Sequence, residues 1–131
     1  MSADEAIKQA MAEIPKAVAA GVVDLASGMM LSIKTVDSHP QEVLDLLGPA
    51  TQEMFEGAMV DKIETLFKKA RGVESDEHYF QEILISSTHL WHYFGRMKKM
   101  PQAVLTVVAR GDVTLGVLVT KARQITETLE I

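Results

Sequence analysis

His89 and His92, on either side of Trp91, come nearest to a metal-ligand spacing in this 131-residue chain. On a strand an odd separation sends two side chains to opposite faces, and no further ligand cluster lies close by, so the pair reads as ordinary sheet residues. His78, beside Glu77 and Glu82, has the composition of an acid–base group with its orienting carboxylate. Its polar surroundings fit a solvated loop better. Ser86 and Ser87 lack the G-x-S-x-G context of a strained nucleophile turn. Gly21, Gly28, Gly111 and Gly116 are isolated, so neither a dinucleotide fingerprint nor a phosphate loop is present. Lys98 and Lys99, close to Arg96, form a small basic patch that reads as a solvated hairpin end. The chain has no cysteine, which removes thiolate metal sites, disulfides and cysteine nucleophiles. The expectation is a protein without cofactor or metal that is not an enzyme.

Bulk properties point the same way. A net charge of −5 argues against a phosphate-backbone footprint, so no nucleic-acid partner is expected. With 47% hydrophobic and 24% charged residues, the composition is that of a globular chain long enough for one core. The acidic start and the shortness of every apolar run give neither a signal peptide nor a membrane span. A single cytoplasmic domain over 1–131 is the expectation.

The elements that would position any site follow from periodicity. Ser2 and Glu5 have capping-box spacing, and Ile7, Ala10, Met11 and Ile14 form a narrow helical stripe closed by Pro15. Ala17–Asp24 and Met29–Thr35 read as a hairpin turning at Gly28, the first strand covered on both faces and the second nearer an edge. Ser38 with Gln41, then Val43, Leu44 and Leu47, predict a short helix stopped by Gly48-Pro49. A central helix then runs from Pro49 to Arg71, with Glu64 and Lys68 as an i,i+4 pair. Its apolar residues Met54, Phe55, Ala58, Met59, Ile63, Leu66, Phe67 and Ala70 span an arc too wide for one buried face. Strands follow over 79–86, 90–97 and 103–110, with turns at Ser87-Thr88-His89 and Gly111-Asp112. A last helix from about Thr114 carries Leu115, Leu118, Ala122, Ile125 and Leu129. The order predicts an α/β/α sandwich on a five-stranded, mainly antiparallel sheet. Within it, Ile63, Leu66, Phe67 and Phe55 are expected to cover the sheet, leaving the Met54–Ala58 flank for a partner.

Two stretches carry a family likeness: the hairpin GVVDLASGMML (21–31), and AVLTVVARGDVTLGVLVTKA (103–122) with its Leu115-Gly116 pair opening a helix. With the long helix between them, the chain resembles the roadblock/dynein-light-chain family along essentially its whole length. The extra helix before Gly48-Pro49 departs from the family pattern. The resemblance implies a homodimer in which central helices pack antiparallel and edge strands join two sheets. It also implies a scaffold or regulator, such as a partner of a small Ras-like GTPase, rather than a catalyst. Carried onto this chain, the dimer surface comprises Met54, Phe55, Ala58 and Met59 with the strand residues Tyr79, Gln81, Ile83 and Ile85. The competing reading is a profilin-like or PAS-like sensing module, with a small-molecule cavity under the helices near Trp91 and Tyr93.

Overall fold

The computed structural model describes residues 2–36, 41–75 and 77–128. The elements run α1 (Ala3–Glu13), β1 (Ala17–Asp24), β2 (Met29–Thr35), α2 (Gln41–Glu56), α3 (Ala58–Arg71), β3 (Glu82–Ser86), β4 (Leu90–Arg96), β5 (Ala103–Arg110) and α4 (Leu115–Thr128). The five strands form one sheet in the order β2-β1-β5-β4-β3, every neighbouring pair antiparallel. The nearly unbroken apolar strands β1 and β5 sit at the centre and the more polar β2 at an edge, as their patterns require. The Ser2 hydroxyl accepts the Glu5 N–H, so the cap read from the sequence starts α1. Ser38 and Leu129 fall outside the described residues.

One face of the sheet is covered by α1 and α4. Ile7, Ala10, Leu118, Ala122 and Ile125 meet Val22, Tyr93, Leu105 and Val107 in the larger core. The opposite face is covered from α2, where Phe55 joins Leu25 and Val104, flanked by Met54, Phe80, Ile83 and Phe94. This is the α/β/α sandwich, with the elements of the described residues in the predicted order.

The helical region between β2 and β3 differs from the sequence-based expectation in three ways. Gly48 and Pro49 do not end a helix; they lie inside α2. Local stop signals are weak priors that tertiary anchoring overrides, and α2 is anchored at this point. Gln52 Nε2 donates to the Leu25 carbonyl at 2.8 Å. Gly48 lies directly against the Gly28 carbonyl oxygen in the β1–β2 turn, leaving no room for a Cβ. Glycine is there for close approach, not termination. The break falls instead at Gly57, whose φ of −62° and ψ of 162° interrupt the helix between α2 and α3. A Cβ at Gly57 would meet the Glu53 carbonyl oxygen at 2.5 Å. Finally, β3 begins at Glu82, so Tyr79 and Gln81 precede the strand.

Gly48→Ala must push α2 off the hairpin turn. A loss of about 2 kcal/mol is expected, in the range of overpacking substitutions, measured as a lower urea midpoint. An unchanged midpoint would show that the contact is not needed.

Candidate protein interface

Where α3 lies, the expected distribution of apolar side chains is reversed. Ile63, Leu66 and Phe67 were expected to cover the sheet, yet Leu66 is 57% and Phe67 54% exposed, and Ile63 is exposed beside them. Met59 is 70% exposed, and Ala58 is exposed too. Phe55, which the residue pattern set against the sheet and the resemblance set on the dimer surface, is wholly buried in the chain's own core, as the pattern required and against the resemblance. Met54 is half-buried against that core. The outward strip is therefore Ala58, Met59, Ile63, Leu66 and Phe67, shifted from the Met54–Ala58 flank toward the C-terminus. The wide apolar arc was legible, but not the break at Gly57 that divides it between two helices facing differently.

The one buried residue of α3 is Glu64. Its expected partner Lys68 instead lies over the Tyr79 ring, 5.8 Å from the centroid. The Glu64 carboxylate turns inward, where Oε2 accepts the Tyr79 N–H and Oε1 lies 3.1 Å from His78 Nδ1. Burial alone would raise this carboxyl, but the hydrogen bonds from His78 and the Tyr79 and Phe80 backbone outweigh it and hold the group below its ordinary value. His78 thus faces Glu56 and Glu64, with Glu56 Oε1 at 3.5 Å from Nε2, and not Glu77 and Glu82. Those partners are 22 and 14 positions away in sequence, beyond the reach of any local pattern.

Arg96 completes the cluster from β4. Rather than joining a surface patch with Lys98 and Lys99, its side chain is buried. Nε donates to the Phe80 carbonyl at 2.9 Å and Nη1 to the Pro101 carbonyl at 2.8 Å. Nη1 also lies 3.5 Å from Glu56 Oε1, and the guanidinium sits over the Phe55 ring at 5.3 Å. Among the described residues, Arg96 Nη2 is the buried side-chain polar atom without a hydrogen-bond partner. Residues 78–80 are thereby clamped between Glu64 and Arg96.

Below this strap the sheet edge is open. Among the described residues, β3 pairs with β4 on one side and with no other strand. Ile83 and Ile85 stand opposite Phe94 and His92 on the face that α2 covers. Ile85 and Leu84 are both exposed at 39%. Glu82, facing the other way, is held by a bidentate contact with Arg123 and accepts the Tyr93 hydroxyl at 2.7 Å. Burial, followed by that bond to Glu82, drives the Tyr93 phenol far up, so it serves as a donor and not as a titrating group.

The remaining candidates for chemistry stay apart. His92 Nε2 lies 3.0 Å from the Ser87 hydroxyl, and burial lowers its pKa; His89 is exposed in the turn. Among the described residues, no group of three or more histidine and carboxylate side chains could hold a metal. No described helix is long and apolar enough to cross a membrane. The space between the sheet and α2 near Tyr93 and His92 is about 60 Å³. A second cleft at Tyr93, toward α4, is about 250 Å³ and lined by the charged side chains of Glu82, Arg96, Lys98 and Arg123; ligand pockets typically run from about 300 Å³ upward with mainly apolar walls, so neither space favours the sensing-module reading.

This architecture defines a class. The fold is that of the Roadblock/LC7 domain: one from Streptomyces avermitilis superposes with a TM-score of 0.65 at 12% identity, covering 96% of this chain and 92% of that one. Among solved proteins, a structure described as MglB with tetrameric arrangement gives a TM-score of 0.72 at 21% identity, over 97% of this chain and 84% of that one. The gliding protein MglB from Thermus thermophilus gives 0.68 at 20% identity, over 95% and 83%. At these identities the likeness is one of fold. No family model matches the sequence, and no curated protein matches it either.

Glu64 gives the cluster a pH dependence of definite sign. A carboxyl depressed in the folded state contributes stability that is present above its unfolded value and lost as pH falls through the folded one. The stability difference between the wild type and Glu64→Gln should therefore shrink on acidification from about pH 6 to about pH 3. Urea unfolding across that range measures it, and a difference independent of pH would contradict the assignment.

Proposed function

We propose that this chain is a homodimeric, non-catalytic regulatory or scaffold protein of the roadblock type. The observation that carries this reading is the outward apolar strip of α3 beside the unpaired β3 edge. A contiguous apolar surface on a small domain marks an interaction site, and a bare edge strand is a template for pairing with another chain. Burying the exposed part of each large side chain of the strip would contribute about 1 kcal/mol, one favourable contribution against the entropic cost of association.

Charge supports a second copy as the occupant. The first turn of α3 carries Asp61, while its last turn carries Lys68, Lys69 and Arg71. Antiparallel packing of two such helices sets the acidic end of one against the basic end of the other. The MglB relative described as tetrameric is consistent with a fold that self-associates. On this reading the interface draws on Ala58, Met59, Ile63, Leu66 and Phe67, with Ile83 and Ile85 at the joined edges and Tyr79 and Gln81 beside them. The dimer then offers a composite surface to a further protein, and a small Ras-like GTPase is the partner class that the family resemblance implies.

Sedimentation velocity at micromolar concentration should give twice the chain mass. Leu66→Glu should weaken the dimer at least about tenfold, equivalent to 1.4 kcal/mol, while leaving the far-UV circular dichroism unchanged. A wild-type monomer at all concentrations would remove the reading's main support. For the GTPase, calorimetric titration with a small GTPase of the same source should show preference for one nucleotide state. Failure to bind either state would discard that partner and leave the dimer standing.

A further inference from the structure

α3 is attached to the rest of the molecule in an unusual way. A surface helix normally anchors itself through its apolar stripe, but here the stripe faces outward and the buried residue is a carboxylate. We infer that Glu64 is a latch: it fixes α3, hinged at Gly57, onto residues 78–80, and so sets the position in which α3 presents its apolar strip. The latch is a property of the single chain. Only its consequence for association rests on the homodimer proposed above.

The force path can be followed atom by atom. Glu64 Oε2 accepts the Tyr79 N–H, and Oε1 lies against His78 Nδ1. The strap is tied to the body in turn, because Arg96 Nε donates to Phe80 O and Arg96 N to Gln81 O, at 2.9 and 2.8 Å. Gln81 Nε2 also donates to His78 O at 2.5 Å. α3 also meets the strap at the Tyr79 ring. The Phe67 ring lies 6.2 Å from that of Tyr79, and Lys68 and Arg71 lie over the same ring. At its other end α3 is joined to α2 through Gly57, where the regular helical path is interrupted.

Energetics favour a positioning role over a stabilising one. Taking a carboxylate out of water costs several kcal/mol, which its hydrogen bonds then offset, so the net gain is small. What such a group does supply is geometry, since both of its oxygens must find their donors. A leucine at this position would stabilise through area alone and would tolerate many orientations of the helix. The carboxylate accepts one. The strap has a matching peculiarity: because Glu64 takes the Tyr79 N–H, that donor is not available for strand pairing, and β3 starts only at Glu82.

The test is amide hydrogen exchange, resolved by residue, on Glu64→Gln at neutral pH. It is run both in the otherwise wild-type chain and in the Leu66→Glu background, where self-association cannot mask local opening. The glutamine keeps size and shape but loses the charge and one acceptor. Exchange across 58–71 and at Tyr79 and Phe80 should accelerate at least about tenfold, as a locally opening unit does, while β1, β5 and α4 keep their wild-type rates. His78→Ala, which removes the Nδ1 partner and spares the carboxylate, should give a smaller acceleration in the same residues. Unchanged rates in α3 for Glu64→Gln would overturn the latch, and so would a uniform acceleration through sheet and helices, which marks a general structural role. Because the readout is complete in the Leu66→Glu background, failure of the latch is distinguishable from failure of the dimer.

Discussion

The constraint on which this structure depends is unequal helical cover for a five-stranded sheet. One face receives two helices with full apolar stripes, α1 and α4, and their side chains close the larger core around Leu105 and Val107. The other face receives α2, whose Phe55 closes a smaller core with Leu25 and Val104. Beyond Gly57 the chain has a further helix available, but it contributes a carboxylate to the interior instead of a hydrocarbon surface. The exposed strip, the clamped strap and the open β3 edge all occur at the end of the sheet that α2 does not finish covering.

A buried arginine makes that arrangement tenable. Arg96 takes the carbonyls of Phe80 and Pro101, two backbone acceptors that lie outside any strand ladder. Buried backbone acceptors left unpaired are costly, so the guanidinium does for the strap what a neighbouring strand does for β4. Glu56 supplies the opposite charge at the end of α2, and the Phe55 ring supports the guanidinium from one side. Residues 78–80 are thus held by side chains, a donor from Arg96 on one side and an acceptor from Glu64 on the other. Such a segment can be ordered without being part of the sheet.

How much of this the sequence could reveal depends on the range of the interactions. β1, β2 and β5 follow directly from their residues, because a run such as AVLTVVAR is apolar on both faces wherever it is placed, and α1 carries its own cap in Ser2. Gly48-Pro49 misleads because the reason for that glycine is a carbonyl in a turn 20 residues earlier. The apolar character of 54–67 was plain, but its partition was not: one irregular residue at Gly57 sends Phe55 inward and Leu66 outward, and periodicity runs smoothly through such a break. His78 was visible as a titratable residue among acids, yet the acids that face it come from α2 and α3. Arg96 read as part of a basic patch, since nothing next to it in sequence announces the carbonyls it serves.

The fold is shared with roadblock and MglB structures at identities where fold is all that carries over. What this chain adds is local: the placement of its apolar strip, and the carboxylate beneath it. An interface built on α3 and the β3 edge makes a direct demand on geometry, that Leu66 of one copy lie against α3 of the other while Ile85 approaches its counterpart across the joined edges. Isotope-filtered NMR on a mixture of labelled and unlabelled chains tests that demand most directly. The account predicts intermolecular contacts from the Leu66, Ile63 and Ile85 methyl groups. A dimer whose intermolecular contacts arise instead from Leu31 and the β2 edge, with those three methyls silent, would contradict it.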